Sequence, residues 1–223
     1  MKRKIITTAD GSKTIHIEDW DEQYHSKHGA IQEAAHVFIK SGLHHKLNFQ
    51  TNSKPISVLE IGFGTGLNAF LTLIEAQKLK LNINYVGVEG YPVKIDEVNE
   101  LNYASILVGS YANFFNKLHE VSWEDTHLIS SNFSITKRQQ FFSEINDELA
   151  FDLIFFDAFG ARVQPELWSK SIFQIMYNAL KPNGVLVTYA AIGQVKRDMK
   201  SLGFKVERIE GPPGKRHMLR ATK

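Results

Sequence analysis

The 223-residue chain contains no cysteine, which excludes disulfides, thiolate metal sites and a cysteine nucleophile, and leaves any chemistry to oxygen and nitrogen groups. It has no apolar run long enough to cross a bilayer. Met1 to Asp19 alternates polar with β-branched residues and offers nothing resembling a signal peptide, so a cytoplasmic location without membrane attachment is expected. No internal repeat or low-complexity tract interrupts the chain. The nine histidines show no metal-ligand spacing, and His44-His45 and the isolated others read as surface or core residues. No Ser-His-Asp set emerges either, so neither a metal nor a covalent enzyme intermediate is expected.

What is present suffices for a substantial core. At 43% hydrophobic residues, the length fits one domain, or one domain with an elaborated terminus. The net charge of +2 conceals an asymmetry: Lys181 to Lys223 holds ten Lys/Arg against three Asp/Glu, a local +7. Such a cluster marks either a face for a polyanion or an ordinary solvated surface.

The polar break Gln50-Thr51-Asn52-Ser53-Lys54-Pro55 separates an extension, residues 1–50, from a core domain, residues 51–223. The extension reads as a small β element followed by a helix from about Gly29 to Ser41, packed over the core. Beyond the break, strands are expected at Ile56 to Ile61, Ile83 to Val88, Phe151 to Phe156, Val185 to Tyr189, Phe204 to Ile209 and His217 to Ala221. Helices are expected at Leu67 to Leu79, Pro92 to Leu101, Tyr111 to Leu118, Pro165 to Leu180 and Gly193 to Leu202. His127 to Ile129 and Phe133 to Lys137 form a hairpin or one broken strand. This alternation predicts an α/β fold with an open, mostly parallel sheet and an antiparallel addition at its edge.

Gly62, Gly64 and Gly66 stand where the first core strand must turn into a helix, so backbone amides can approach a ligand there. The spacing departs from the dinucleotide fingerprint Gly-x-Gly-x-x-Gly, because position 67 is leucine, and favours the S-adenosylmethionine version of the loop. In that version the preceding acid, here Glu60, receives the cofactor's ammonium end directly or through water. Glu89, about twenty residues on, can accept both ribose hydroxyl hydrogens and by itself suits NAD equally. Asp157 emerges from the apolar run Phe155-Phe156 at the carboxyl end of a strand, where open α/β sheets bind ligands. It can take a proton from an acceptor amine before methyl transfer, or cap the loop leading to Pro165. Phe159 walls the pocket or packs beneath the loop.

Three separated segments carry a resemblance. Tyr24-His25-Ser26-Lys27-His28-Gly29-Ala30-Ile31-Gln32-Glu33 precedes Val37-Phe38; Gly62-Phe63-Gly64-Thr65-Gly66-Leu67-Asn68 is distinctive for Phe63 and the trailing Leu-Asn; and Phe156-Asp157-Ala158-Phe159 is followed by Pro165-Glu166-Leu167-Trp168 and by Gly211 and Gly214-Lys215-Arg216-His217-Met218-Leu219. From about residue 20 onward the chain resembles the bacterial tRNA 5-methylaminomethyl-2-thiouridine methyltransferases, the methyltransferase half of MnmC proteins, found alone as MnmD. The resemblance implies a Rossmann-like class I S-adenosyl-L-methionine-dependent fold. It also implies N-methylation of the aminomethyl group of 5-aminomethyl-(2-thio)uridine at the tRNA wobble position.

The resemblance assigns Tyr24, Ser26, Glu60, Gly62, Gly64, Thr65, Gly66, Asn68 and Glu89 to the cofactor, and Asp157 to both the cofactor and the acceptor amine. The family often has an acid near the adenine, where this chain offers Gln139 and Gln140. Lys196, Arg197, Lys215 and Arg216 become candidates for tRNA phosphates while the base is extruded into the pocket. Phe159 joins them on the substrate side, and Tyr24 and Trp168 either stack on a base or pack as core aromatics. The chain has no room for the flavin-dependent oxidase of bifunctional members, so separately encoded enzymes must make the precursor. The rival readings are a methyltransferase for another RNA site or a small amine, an NAD-dependent dehydrogenase, and a non-catalytic RNA-binding module.

Overall fold

The computed structural model describes residues 2–49, 54–107 and 111–223. Of the break Gln50 to Pro55 that divides extension from core, residues 50–53 lie outside the described residues.

The chain opens with three strands, β1 (Arg3–Thr7), β2 (Lys13–Ile17) and β3 (Glu22–Gln23), paired antiparallel in that order. Ile15 and Ile17 on β2 are buried, and Ile15 joins the core of the main sheet. A helix then runs over 30–47: Ala30–Ala34 is α-helical, Ala35–His44 is π-wound, and His45–Leu47 closes it. It is longer than the Gly29 to Ser41 expected, because Leu43 continues the buried face. Gly42 lets it lie close on the sheet, since a Cβ there would stand 3.0 Å from both Phe155 and Val187.

The remaining strands are β4 (Ile56–Ile61), β5 (Ile83–Val88), β6 (Thr126–Ser130), β7 (Phe133–Arg138), β8 (Phe151–Phe156), β9 (Leu180–Thr188), β10 (Lys205–Glu210) and β11 (His217–Thr222). They form one sheet in the order β10-β11-β9-β8-β4-β5-β7-β6. From β9 to β7 every pairing is parallel. The antiparallel strands are β6, which makes a hairpin with β7, and β11, which is inserted between β9 and β10. The terminal pair is therefore an edge addition whose last strand lies inside it.

Alternation sorts the side chains. Val58, Tyr85, Leu153 and Phe155 face one apolar layer with helix Leu67–Leu79 and the helix over 30–47. Leu59, Val88, Ile154 and Phe156 face the other, with helices Lys170–Ala179 and Gly193–Ser201. Burial on both faces explains the continuous apolar runs of β4 and β8.

Two expected helices change shape. Pro92 to Leu101 contracts to Ile95–Asn99, with Lys94 extended just before it. Pro165 to Leu180 is two pieces, a 3₁₀ turn Pro165–Trp168 and helix Lys170–Ala179, because Ser169 is extended (φ −75°, ψ 156°). Leu180 to Gly184 belongs to β9 in place of a helix end, and a register shift against β8 marks the irregularity.

Candidate active site

The parallel sheet reverses its direction of growth between β4 and β8, and the crevice outside their carboxyl ends is where such sheets receive ligands. After β4 the chain turns on Gly62 (φ +88°), Gly64 (+48°) and Gly66 (+71°) before starting helix Leu67–Leu79. A Cβ on Gly62 would stand 2.7 Å from the Asp157 carbonyl oxygen, so the close approach of these two strand ends requires glycine. Gly62 and Phe63 both donate their N–H to the Val88 carbonyl at 3.0 Å, which ties the turn to β5. Glu89 follows Val88 and accepts the N–H of Gly64 (3.0 Å) and of Tyr91 (2.9 Å), one on each oxygen. Each carboxylate oxygen retains a lone pair for a further donor.

Asp157 follows β8. Asn68, from the first turn of the helix, donates through one amide nitrogen to Glu60 Oε1 (2.9 Å) and Asp157 Oδ2 (2.8 Å). Glu60 is fully buried beneath the cavity, and among the described residues its Oε2 has no hydrogen-bond partner of good geometry. Burial drives its proton affinity well above that of an ordinary glutamate, with Asn68 opposing and the Asp157 charge reinforcing the shift. Asp157 is lifted to about 7, again by burial, against the Asn68 hydrogen bond, with Glu33 raising it further and Lys215 lowering it. The arrangement is a buried acid, Glu60, and a half-buried one, Asp157, bridged by one amide, with only Asp157 reaching the cavity.

That cavity has a volume of about 900 Å³. Gly62, Gly64, Thr65 and Glu89 line one side; Tyr24, Ser26, Phe159 and Lys215 line others. The extension is fastened to the glycine turn by the hydrogen bond between His25 Nε2 and Thr65 Oγ1 (2.7 Å), and burial lowers the His25 pKa to about 4. The Tyr24 ring meets Phe159 edge-on at 4.9 Å, and the Arg3 guanidinium lies 5.7 Å from its centroid. Arg162 closes the same wall by donating to the carbonyls of Trp20 and Asp21, both at 3.0 Å.

Several expected site residues lie elsewhere. Glu60, Gly66 and Asn68 do not line the cavity; they hold the turn and Asp157 from below. Glu60 therefore has no direct path to a cofactor ammonium. Gln139 and Gln140 miss the cavity as well: Gln139 is exposed, its N–H held by Glu124 (2.8 Å), and Phe141, Phe142 and Ser143 line the wall instead. Trp168 is 5% exposed, and its indole N–H donates to the Phe159 carbonyl at 2.7 Å, so it supports the Phe159 loop and presents no face to a base. Lys196, Arg197 and Arg216 stand away from the cavity, with Arg197 and Arg216 exposed.

Reading the residues missed Glu33 and Tyr189. Glu33, 7% exposed, accepts the Ser26 N–H (2.9 Å) and pairs with Lys215. Tyr189, beyond β9, donates to the Ala158 carbonyl (2.9 Å) and lies under the Lys215 ammonium, 3.9 Å from its ring centroid. Glu33 belongs to the quoted Tyr24 segment; nothing in the sequence singles out Tyr189.

A glycine-rich turn, a carboxylate with spare lone pairs beside it and a large cavity at the switch point define an α/β enzyme that binds a nucleoside cofactor. The chain belongs to the S-adenosyl-L-methionine-dependent methyltransferase family, whose model matches residues 102–223, more than half of its length. Its cofactor is accordingly S-adenosyl-L-methionine, not NAD. Among curated proteins it is 25% identical over 217 residues to the tRNA 5-methylaminomethyl-2-thiouridine biosynthesis bifunctional protein MnmC of Marinomonas sp., covering 91% of this chain and 31% of that protein. It is 26% identical over 223 residues to the protein of the same name from Leptospira interrogans, covering 91% and 32%. The chain thus spans about a third of the length of these relatives. The crystal structure of MNMC2 from Aquifex aeolicus superposes with a TM-score of 0.80 at 25% identity, covering 99% of this chain and 69% of that one. Among the described residues, no helix is long and apolar enough to cross a membrane.

Proposed function

We propose that the chain methylates the amine of the 5-aminomethyl group on the wobble (2-thio)uridine of tRNA, giving the methylaminomethyl group. The observation that carries this reading is Asp157, a carboxyl group with a pKa near 7 at the floor of the cavity, suited to accepting a proton from an amine at neutral pH. The relatives named for tRNA 5-methylaminomethyl-2-thiouridine biosynthesis supply the substrate class. When bound, S-adenosyl-L-methionine supplies an electrophilic methyl group on sulfur. Asp157 would orient the acceptor nitrogen and accept the proton that this nitrogen gives up.

Tyr24, Ser26, Thr65, Gly62, Gly64 and Glu89 hold the cofactor side, Glu89 accepting the ribose hydroxyls. Phe159 faces the acceptor. Lys196, Arg197 and Arg216 lie on the basic carboxyl-terminal part and suit contact with tRNA phosphates. The protein works in the cytoplasm. The test is nucleoside analysis of tRNA bearing 5-aminomethyl-2-thiouridine after incubation with the protein and methyl-labelled donor. Label is expected in 5-methylaminomethyl-2-thiouridine, and its absence there would overturn the substrate assignment.

A further inference from the structure

Lys215 looked like a phosphate contact in the sequence, yet it lines the cavity. It comes from the turn between β10 and β11, pairs with Glu33 Oε1 and sits on the Tyr189 ring. Both mounts are themselves fixed: the second oxygen of Glu33 accepts the Ser26 N–H, and the Tyr189 hydroxyl is bound to the residue after Asp157. The turn has little freedom to shift, because Gly214 (φ +84°) packs directly on the His28 ring. The charged and titratable groups that face the ammonium are Glu33 from the helix over 30–47, Asp157 beyond β8, Tyr189 beyond β9, and His25 and His28 after β3. Glu22 on β3 acts on Tyr189 and is paired with Arg162, and Glu60 lies beneath Asp157.

A primary alkylamine is mostly protonated at neutral pH, by analogy with a lysine side chain near pH 10. In that form its nitrogen has no lone pair to donate. A fixed cation nearby disfavours the ammonium form and favours loss of its proton.

We propose that Lys215 is a positioning residue for the acceptor nitrogen: its charge, set in place by Glu33 and the Tyr189 face, offsets the Glu33 and Asp157 carboxylates that would otherwise hold the bound amine as an ammonium. This rests on the amine-methylation reading above. It gives Glu33 and Lys215 opposite effects, as they already have on Asp157. Lys215→Met should move the acid limb of the kcat profile to higher pH, and Glu33→Gln should move it to lower pH.

The experiment measures methyl transfer to tRNA bearing 5-aminomethyl-2-thiouridine from pH 6 to 10 for the parent, Lys215→Met, Lys215→Arg and Glu33→Gln, with adenosylhomocysteine binding as the check on folding. Lys215→Met is expected to shift the acid limb up by about one pH unit, a loss of about tenfold at pH 7 that is recovered near pH 9. Lys215→Arg should keep the parental midpoint, and Glu33→Gln should shift it down. If Lys215→Met instead lowers the rate by one factor at every pH, with a weaker dependence on salt, Lys215 is a phosphate contact and the proposal fails. A parent inactive at every pH while still binding adenosylhomocysteine would sink the amine-methylation reading, and the role of Lys215 with it. Should Lys215→Met fail to bind adenosylhomocysteine, Glu33→Gln decides: an unmoved or upward-shifted limb overturns the proposal.

Discussion

Asp157→Asn is expected to make the protein more stable and less active at once. The carboxyl group is raised from 3.8 to about 7 chiefly by burial, so the folded state prefers it protonated. Below about pH 4 folded and unfolded chains both carry it neutral. Between about pH 4 and 7 the unfolded chain releases the proton while the folded chain retains it, so stability falls as pH rises and levels off above the folded pKa. About three pH units at roughly 1.4 kcal/mol each give an upper bound of roughly 4 kcal/mol. The carboxyl group opens onto the cavity and the replacing amide has its own desolvation cost, so about 1–2 kcal/mol should survive at pH 8. For a chain of this length that is about 2–8 °C in Tm. Thermal unfolding at pH 4, 6 and 8 should show no gap between variant and parent at the lowest value and a widening advantage for the variant above it. Methyl transfer should fall by about a hundredfold or more, with adenosylhomocysteine affinity mostly kept. A variant less stable than the parent by the same amount at all three pH values would show that a structural hydrogen bond, not the cost of ionisation, governs this position.

Gly62→Ala places a Cβ 2.7 Å from the Asp157 carbonyl oxygen at φ +88°; it should cost about 1–3 kcal/mol and weaken adenosylhomocysteine binding at least about tenfold by calorimetry. His25 stays neutral in the folded chain down to about pH 4, while the unfolded chain protonates it near 6.5, so it withdraws stability as pH falls through that window. His25→Leu should therefore flatten the acid side of the stability profile while losing about 1–2 kcal/mol at neutral pH with the Thr65 hydrogen bond, measured by denaturant unfolding at pH 5 and 7.5. Trp168→Ala should cost about 3–5 kcal/mol and raise KM for tRNA, because Phe159 loses its support. Charge reversal at Lys196 and Arg197 should raise KM for tRNA and reduce its dependence on salt, leaving cofactor affinity unchanged in a binding titration.

The central sheet was legible because its signals are local. β4, helix Leu67–Leu79, β5 and β8 begin and end at the residues expected, since each is an apolar run or a helical period bounded by glycine or polar residues. The glycine turn, Glu89 and Asp157 were legible for the same reason: strand ends place them. What could not be read depends on distance or on backbone detail. Ser169 gives no hint that it will be extended and split a helix, and the π winding of Ala35–His44 has no counterpart in the apolar pattern. Gln139 and Gln140 follow β7, where an adenine contact was expected, yet they do not line the cavity, whereas Phe141 to Ser143 do. Lys215 looked like one more basic residue, because its two mounts, Glu33 and Tyr189, come from remote parts of the chain.

That remoteness also bears on how the molecule folds. Lys215 and Glu33 are 182 residues apart, and His36 reaches the Glu210 carbonyl across 174. Contacts of this kind must pay loop-closure entropy before they return any energy, whereas the β-α-β unit around the glycine turn closes over a few tens of residues. The sheet can therefore nucleate early, while the cavity wall joins last and opens first under mild denaturant. A partly folded chain would carry most of the native secondary structure and still be unable to retain a cofactor. Ligand binding in this protein thus doubles as a reporter of complete folding, and ligand present during refolding should select the chains that have closed the wall.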